Sequence, residues 1–204
     1  MKTTDAKRAW PPADAAELAV EPIRRVEDVE AIKRLLHGRP RDLLLFTLGV
    51  NNGLRAGDLL RVTANEVRHA VSGQSIRVRE KHAGAGAVLC VPAGAHRALH
   101  EYLLVLDPPS PPADMYLFAG QRGWSPLTTE RLDEMVSEWA RAAGLQGHYG
   151  AHSLRKTFGY LQRMRFGVDL ELLARRLGYS SAAATRRYLG LTADDGAGAC
   201  LAEI

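Results

Sequence analysis

Cysteine is scarce in this sequence: Cys90 and Cys200 are the only two among 204 residues. Two thiols cannot build a disulfide framework, and neither stands at a Cys-x-x-Cys or close Cys/His spacing that would hold zinc. A reducing compartment, the cytoplasm, is the expectation. Long hydrophobic runs are also missing. No window approaches the roughly 18 to 20 uncharged apolar residues of a membrane span, and no basic start followed by an apolar stretch marks a secretory leader. The chain is therefore expected to have no membrane partner. Its acidic residues are not clustered at a spacing suited to Mg²⁺, and no GxxxxGKS/T phosphate loop occurs, so two-metal nucleases and NTP-driven reactions lack their parts. The Gly-Ala run at 83–87 joins two predicted strands and does not open a helix, which removes it as a nucleotide loop. Neither a metal nor another cofactor is expected.

What the chain does have is enough apolar residue, 46%, to bury the core of one domain. Its net charge of +4 is modest but unevenly spread. Between Gly150 and Gly190 stand eight Lys or Arg against Asp169 and Glu171. Such a concentration suits an anionic partner, and it equally suits a set of solvated helix faces.

Apolar spacing predicts helices over Val26–His37, Arg41–Val50, Ala56–Leu60, Ala95–Leu106, Thr129–Ala143, Ser153–Phe166, Asp169–Leu177 and Ser181–Leu189. Three short alternating or β-branched runs, Glu66–Val71, Ser75–Lys81 and Ala87–Pro92, predict a small antiparallel meander. The expected fold is α+β and mostly helical, a helical bundle with a small three-stranded antiparallel sheet at one edge. Residues 1–22 read as a flexible N-terminal arm, 23–191 as the folded domain and 192–204 as a C-terminal tail.

Four stretches carry chemistry suited to a phosphodiester. In "AHSLRKTFGY", His152 and Arg155 stand at i and i+3, so on a helix both leave one face about 5.4 Å apart and can address one anion. "NNGLRAGDLL" places Arg55 after a glycine turn and at a helix start, where a guanidinium can be aimed and peptide N–H groups favour an anion. "IRVREKHAGAG" ends a predicted strand with Lys81 at the rim of a hairpin. "LGYSSAAATRRYLG" carries Tyr188 beside Arg186 and Arg187. Singly, each has an ordinary explanation: a surface arginine, a solubilising lysine, a core tyrosine.

In this order the four resemble the catalytic domain of the tyrosine recombinases, the phage-integrase family, from about Ile23 to Leu191. "GLRAGDLL" stands for the family's first arginine box, the lysine hairpin follows, "HSLRKTFG" matches its His-x-x-Arg box, and "LGYSSAAATRRYLG" its closing box. Nine residues separate Tyr179 from Tyr188, the separation the family keeps before its nucleophile. The resemblance implies a site-specific recombinase or integrase acting on double-stranded DNA through a 3′-phosphotyrosyl intermediate. It assigns Arg55 and Arg155 to the scissile phosphate, Lys81 to general acid, His152 to proton handling and Tyr188 to nucleophile. Lys156, Arg186, Arg187 and His82 are then expected to contact DNA. Tyr179 departs from the family's usual His or Trp; its hydroxyl can still donate to a phosphate oxygen, so reduced or retuned activity is expected. Family members carry a further helical core-binding domain in front, for which the short arm leaves no room. Self-association on DNA, or a partner supplying that clamp, is the corresponding expectation, as is the possibility that this is the catalytic part of a longer chain. The competing function is a non-catalytic DNA-binding or regulatory protein on the same fold.

Overall fold

The computed structural model describes residues 19–78, 87–106, 112, 115–120 and 125–192. At its centre lies the helix Pro40–Asn52 (α2), with Leu44, Leu45, Phe46 and Leu48 at most 2% exposed. Proline in its first turn suits a helix start, where no intrahelical N–H is needed. Before it runs α1 (Val26–Leu35), whose acidic first turn and basic last turn both complement the helix dipole. After it come two single turns, α3 (Ala56–Leu59) and α4 (Ala64–Val67). The hairpin follows: β1 (Ser75–Val78) pairs antiparallel with β2 (Ala87–Cys90), from Ser75 opposite Cys90 to Val78 opposite Ala87. Helices α5 (Ala93–Val105), α6 (Thr129–Ala142), α7 (Ala151–Phe166), α8 (Leu170–Leu177) and α9 (Ala182–Leu189) complete the described chain.

α5 and α7 pack on α2, and α6 packs on α7 and α1, so α2 is enclosed. The main apolar core runs from Ile23 to Leu154 in sequence. A second, smaller cluster joins the end of α7 to α8 and α9 through Tyr160, Leu170, Leu173, Leu177, Tyr188 and Leu189. Leu161 touches both.

The expected helices are present, and the sheet is corrected. Among the described residues it has two strands, because the run predicted as the first strand begins instead with the turn α4. Thr63 Oγ1 accepts from Glu66 N–H, and the Glu66 carboxylate accepts from Thr63 N–H in return. This reciprocal capping box satisfies two donors of the turn and outweighs the β-branched pattern that follows. Glu21 N–H donates to His148 at 2.8 Å and Ile23 N–H to Thr157 Oγ1 at 2.8 Å, docking residues 21–23 on the body. Residues 1–18 and 193–204, on which the rest of the arm and the tail fall, lie outside the described residues. No described helix is long and apolar enough to cross a membrane.

Candidate active site

α2 ends at Gly53, whose left-handed backbone (φ 62°) turns the chain back toward the body. A side chain there would start 2.4 Å from the Phe158 ring, so both conformation and space demand glycine. Two residues on, Arg55 caps α3 in extended conformation (φ −67°, ψ 148°) and is half-buried.

Arg155 comes up from the second turn of α7 and is 5% exposed. The start of α7 is fixed by Asp133 of α6, whose Oδ1 accepts from Ala151 N–H at 2.9 Å, a negative group at the positive end of the helix. One terminal nitrogen of Arg155 donates to the Gly53 carbonyl and the other to the Leu177 carbonyl. These two carbonyls close α2 and α8, where the helix dipoles are negative. Gly53 precedes Arg55 by two residues, and Leu177 precedes Tyr179 by two, so a single guanidinium fastens three of the sequence motifs together. Among the described residues Arg155 forms no ion pair, and its buried Nε has no hydrogen-bond partner.

A cavity of about 300 Å³ opens where these elements meet. Among the described residues its charged lining is Arg55, Arg155, Arg175 and Arg176 against a single carboxylate, Asp58. Ala87 and Val88 of β2 close one side. A larger cavity of about 620 Å³ between α1, α2 and α5 has a mixed lining, with Glu30 and Glu101 among Lys33, Arg34 and Arg97, and no such bias.

The expected site residues are distributed unevenly around the arginine cavity. Arg55 and Arg155 share it. His152 lies one turn before Arg155 on α7, half-buried and outside the lining. Tyr179 follows the cavity residue Gly178 and rests against Tyr188, ring centroids 4.8 Å apart and planes tilted by 40°. Tyr188 is 1% exposed on α9 and is also outside the lining. Lys156 was expected to face DNA; the structure buries it, 3% exposed, with Nζ donating to the Val20 carbonyl at 2.7 Å and lying 5.3 Å from the Tyr188 ring centre. The cause is its position beside Arg155 on α7, where the turn toward α9 and the arm faces inward. Arg186 is half-buried and donates to the Thr192 carbonyl at 3.0 Å, while Arg187 is exposed. Lys81 and His82 lie outside the described residues.

Three charged lining residues were not expected in the site: Asp58, Arg175 and Arg176. The arginines were visible only as part of the basic stretch after Gly150, where the last turn of α8 gives an ordinary reason for cations.

Residues 25–194 match the family model described as the Phage integrase family. The chain belongs to that family. Among its relatives is a probable integrase/recombinase of Bacillus subtilis, YoeC, 30% identical over 178 residues, with 86% of this chain aligned to 92% of that one. Curated XerC relatives are matched over about half their own length. The integrase fold recurs in the crystal structure of XerA recombinase (TM-score 0.71, 22% identity, 93% of this chain and 65% of that one). It also recurs in XerH site-specific recombinase bound to palindromic difH substrate in a post-cleavage complex (TM-score 0.67, 25% identity, 86% and 51%). By family the protein is a tyrosine-type recombinase, of the class that breaks and rejoins DNA.

Proposed function

We propose that this integrase domain binds double-stranded DNA, holds one phosphodiester in the arginine cavity and cleaves it by attack of Tyr188. The observation carrying this reading is the cavity itself: four arginines around one carboxylate, with Arg155 buried and free of any ion pair among the described residues. A buried cation satisfied only by carbonyls is costly, and an entering phosphate offsets that cost. A guanidinium has five N–H donors. Arg155 spends two on Gly53 and Leu177, which orient it, and keeps three for a ligand.

As phosphorus becomes five-coordinate, negative charge grows on its non-bridging oxygens. Fixed donors aimed there contribute about 2.7 to 4 kcal/mol each, the part given to Arg55 and Arg155. Tyr188 gives up its phenolic proton in the step, and His152 takes part in moving it. The Tyr188 oxygen bonds to phosphorus, the bond to the 5′ oxygen breaks, and Lys81 supplies that oxygen's proton. The product is a 3′-phosphotyrosyl ester. No water enters, so the ester keeps the bond energy and a 5′-hydroxyl of another strand can reverse the step. The Tyr188 ring packs against Tyr179 and Lys156 and its hydroxyl is buried, so the proposed attack needs α9 to shift.

Incubation with nicked duplexes that trap the intermediate, followed by denaturing electrophoresis, tests this reading. An SDS-stable adduct is expected for the wild type and for Tyr179→Phe, and none for Tyr188→Phe. The buried Tyr188 and the replacement of the family's His or Trp by Tyr179 favour a second reading, a DNA-binding protein without catalysis. DNA binding with no adduct under any condition selects that one.

A further inference from the structure

The hairpin is fastened to the helices by two side chains that the proposed chemistry leaves unused. Asn52, fully buried at the end of α2, pairs with β2 as a neighbouring strand does. Its Oδ1 accepts from Cys90 N–H at 2.5 Å, and its Nδ2 donates to the Cys90 carbonyl at 3.0 Å and to the Leu48 carbonyl at 3.0 Å. Two residues along the same strand, the Val88 carbonyl accepts from Arg176 Nη2 at 2.9 Å. The same nitrogen donates to the Asn52 carbonyl, also at 2.9 Å. Both of its hydrogens are thereby spent. The guanidinium carbon lies 6.0 Å from the centre of the Phe158 ring on α7.

These bonds form a closed circuit. β2 is tied to Asn52 and Arg176; Gly53, next to Asn52, and Leu177, next to Arg176, supply the two carbonyls that orient Arg155. A displacement of β2 is therefore a displacement relative to the arginine cavity.

We propose that Arg176, together with Asn52, is a positioning residue that fixes the β1–β2 hairpin against Arg55 and Arg155. This rests on the reading above that Lys81, three residues beyond Val78 in sequence, protonates the leaving oxygen. The bonds from α8 and α2 to β2 set where the described base of the hairpin, residues 75–78 and 87–90, stands against the arginine cavity. A misplacement of about 1 Å is enough to slow such a step by roughly 100-fold.

The test compares the full chain with Arg176→Ala, Arg176→Lys and Asn52→Asp. Duplex affinity is measured by fluorescence anisotropy across a salt series, and single-turnover adduct formation on two nicked duplexes. One has the natural 5′ oxygen as leaving group; the other has sulfur at that position, which leaves as a thiolate with no proton needed. At saturating protein, Arg176→Ala is expected to lose roughly 10- to 100-fold in rate on the oxygen substrate and to recover most of that loss on the sulfur substrate. Arg176→Lys and Asn52→Asp, which keep part of the contact, are expected to lie between, and they serve if Arg176→Ala does not fold. Hydrogen exchange in the unliganded variants is expected to quicken at residues 75–78 and 87–90 and not in α2.

An unchanged rate overturns the proposal. So does equal loss on both substrates, which marks a general role in the fold, or weaker binding with a shallower salt slope, which marks Arg176 as a direct phosphate contact. If the wild type forms no adduct on either substrate, the catalytic reading is lost, and hairpin exchange alone decides whether Arg176 fastens β2.

Discussion

Arg155 shows how one side chain serves both the fold and the proposed chemistry. Its charged bonds to the Gly53 and Leu177 carbonyls are each of a kind worth about 1.5 to 3 kcal/mol. Arg155→Ala is therefore expected to cost about 2 to 4 kcal/mol of stability, read as a lower urea midpoint with an unchanged m-value. Arg155→Lys retains the charge but cannot donate to two separated carbonyls from a planar fork. It is expected to fold more stably than Arg155→Ala and still to give little adduct in the trapping assay. Gly53 offers a contrast with Gly38. Both have positive φ, but nothing lies within 4 Å of a Cβ built on Gly38, whereas one on Gly53 meets Phe158. Gly38→Ala is expected to cost about 1 to 2 kcal/mol, the left-handed penalty alone. Gly53→Ala is expected to cost more, and also to reduce adduct formation because Arg55 follows the turn.

At the scale of elements, α9 is the piece whose attachment matters most. It is capped by Ser181, whose Oγ accepts from Ala184 N–H at 3.2 Å, and it lies on α7 where Gly159 leaves no room beneath Leu189. A Cβ at Gly159 would stand 2.6 Å from Leu189 Cδ2. Gly159→Ala is expected to lift α9, so hydrogen exchange should accelerate over residues 182–189 while α2 remains protected. The helices themselves were legible because apolar spacing marks them, and glycine stops at Gly53, Gly167, Gly178 and Gly190 agree with it at α2, α7, α8 and α9. The missed element was the turn at Thr63–Glu66, whose S/T-x-x-E signature was present in the sequence but was overridden there by the β-branched run beginning at Glu66. In the site, Arg55 and Arg155 could be read because fixed local motifs surround them. Asn52 and Arg176 could not: both bond to backbone carbonyls or amides far away in sequence, and a carbonyl partner leaves no trace in the residue type that bears it. The burial of Lys156 went unread for a related reason, since a lysine beside Arg155 carries no mark of which way its helix faces.

For the molecule as a whole, the basic stretch after Gly150 divides into cations turned inward and cations left outside. Arg155 and Lys156 are buried, while Arg175 and Arg187 are exposed. Each exposed arginine that meets a DNA phosphate contributes about 0.9 to the slope of log affinity against log salt. Arg175→Ala and Arg187→Ala are each expected to lower that slope by about this amount in anisotropy titrations. Lys156→Ala is expected to leave the slope unchanged and to lower thermal stability, because its ammonium serves Val20 and the Tyr188 ring. The division of the interior into two apolar clusters reaches further. The proposed nucleophile sits in the smaller one, so α8 and α9 can part from each other while the packing around α2 stays closed. On the proposed reading, release of the phenol is then a local event confined to that smaller cluster, and contact with a duplex is what makes the open arrangement the more stable one.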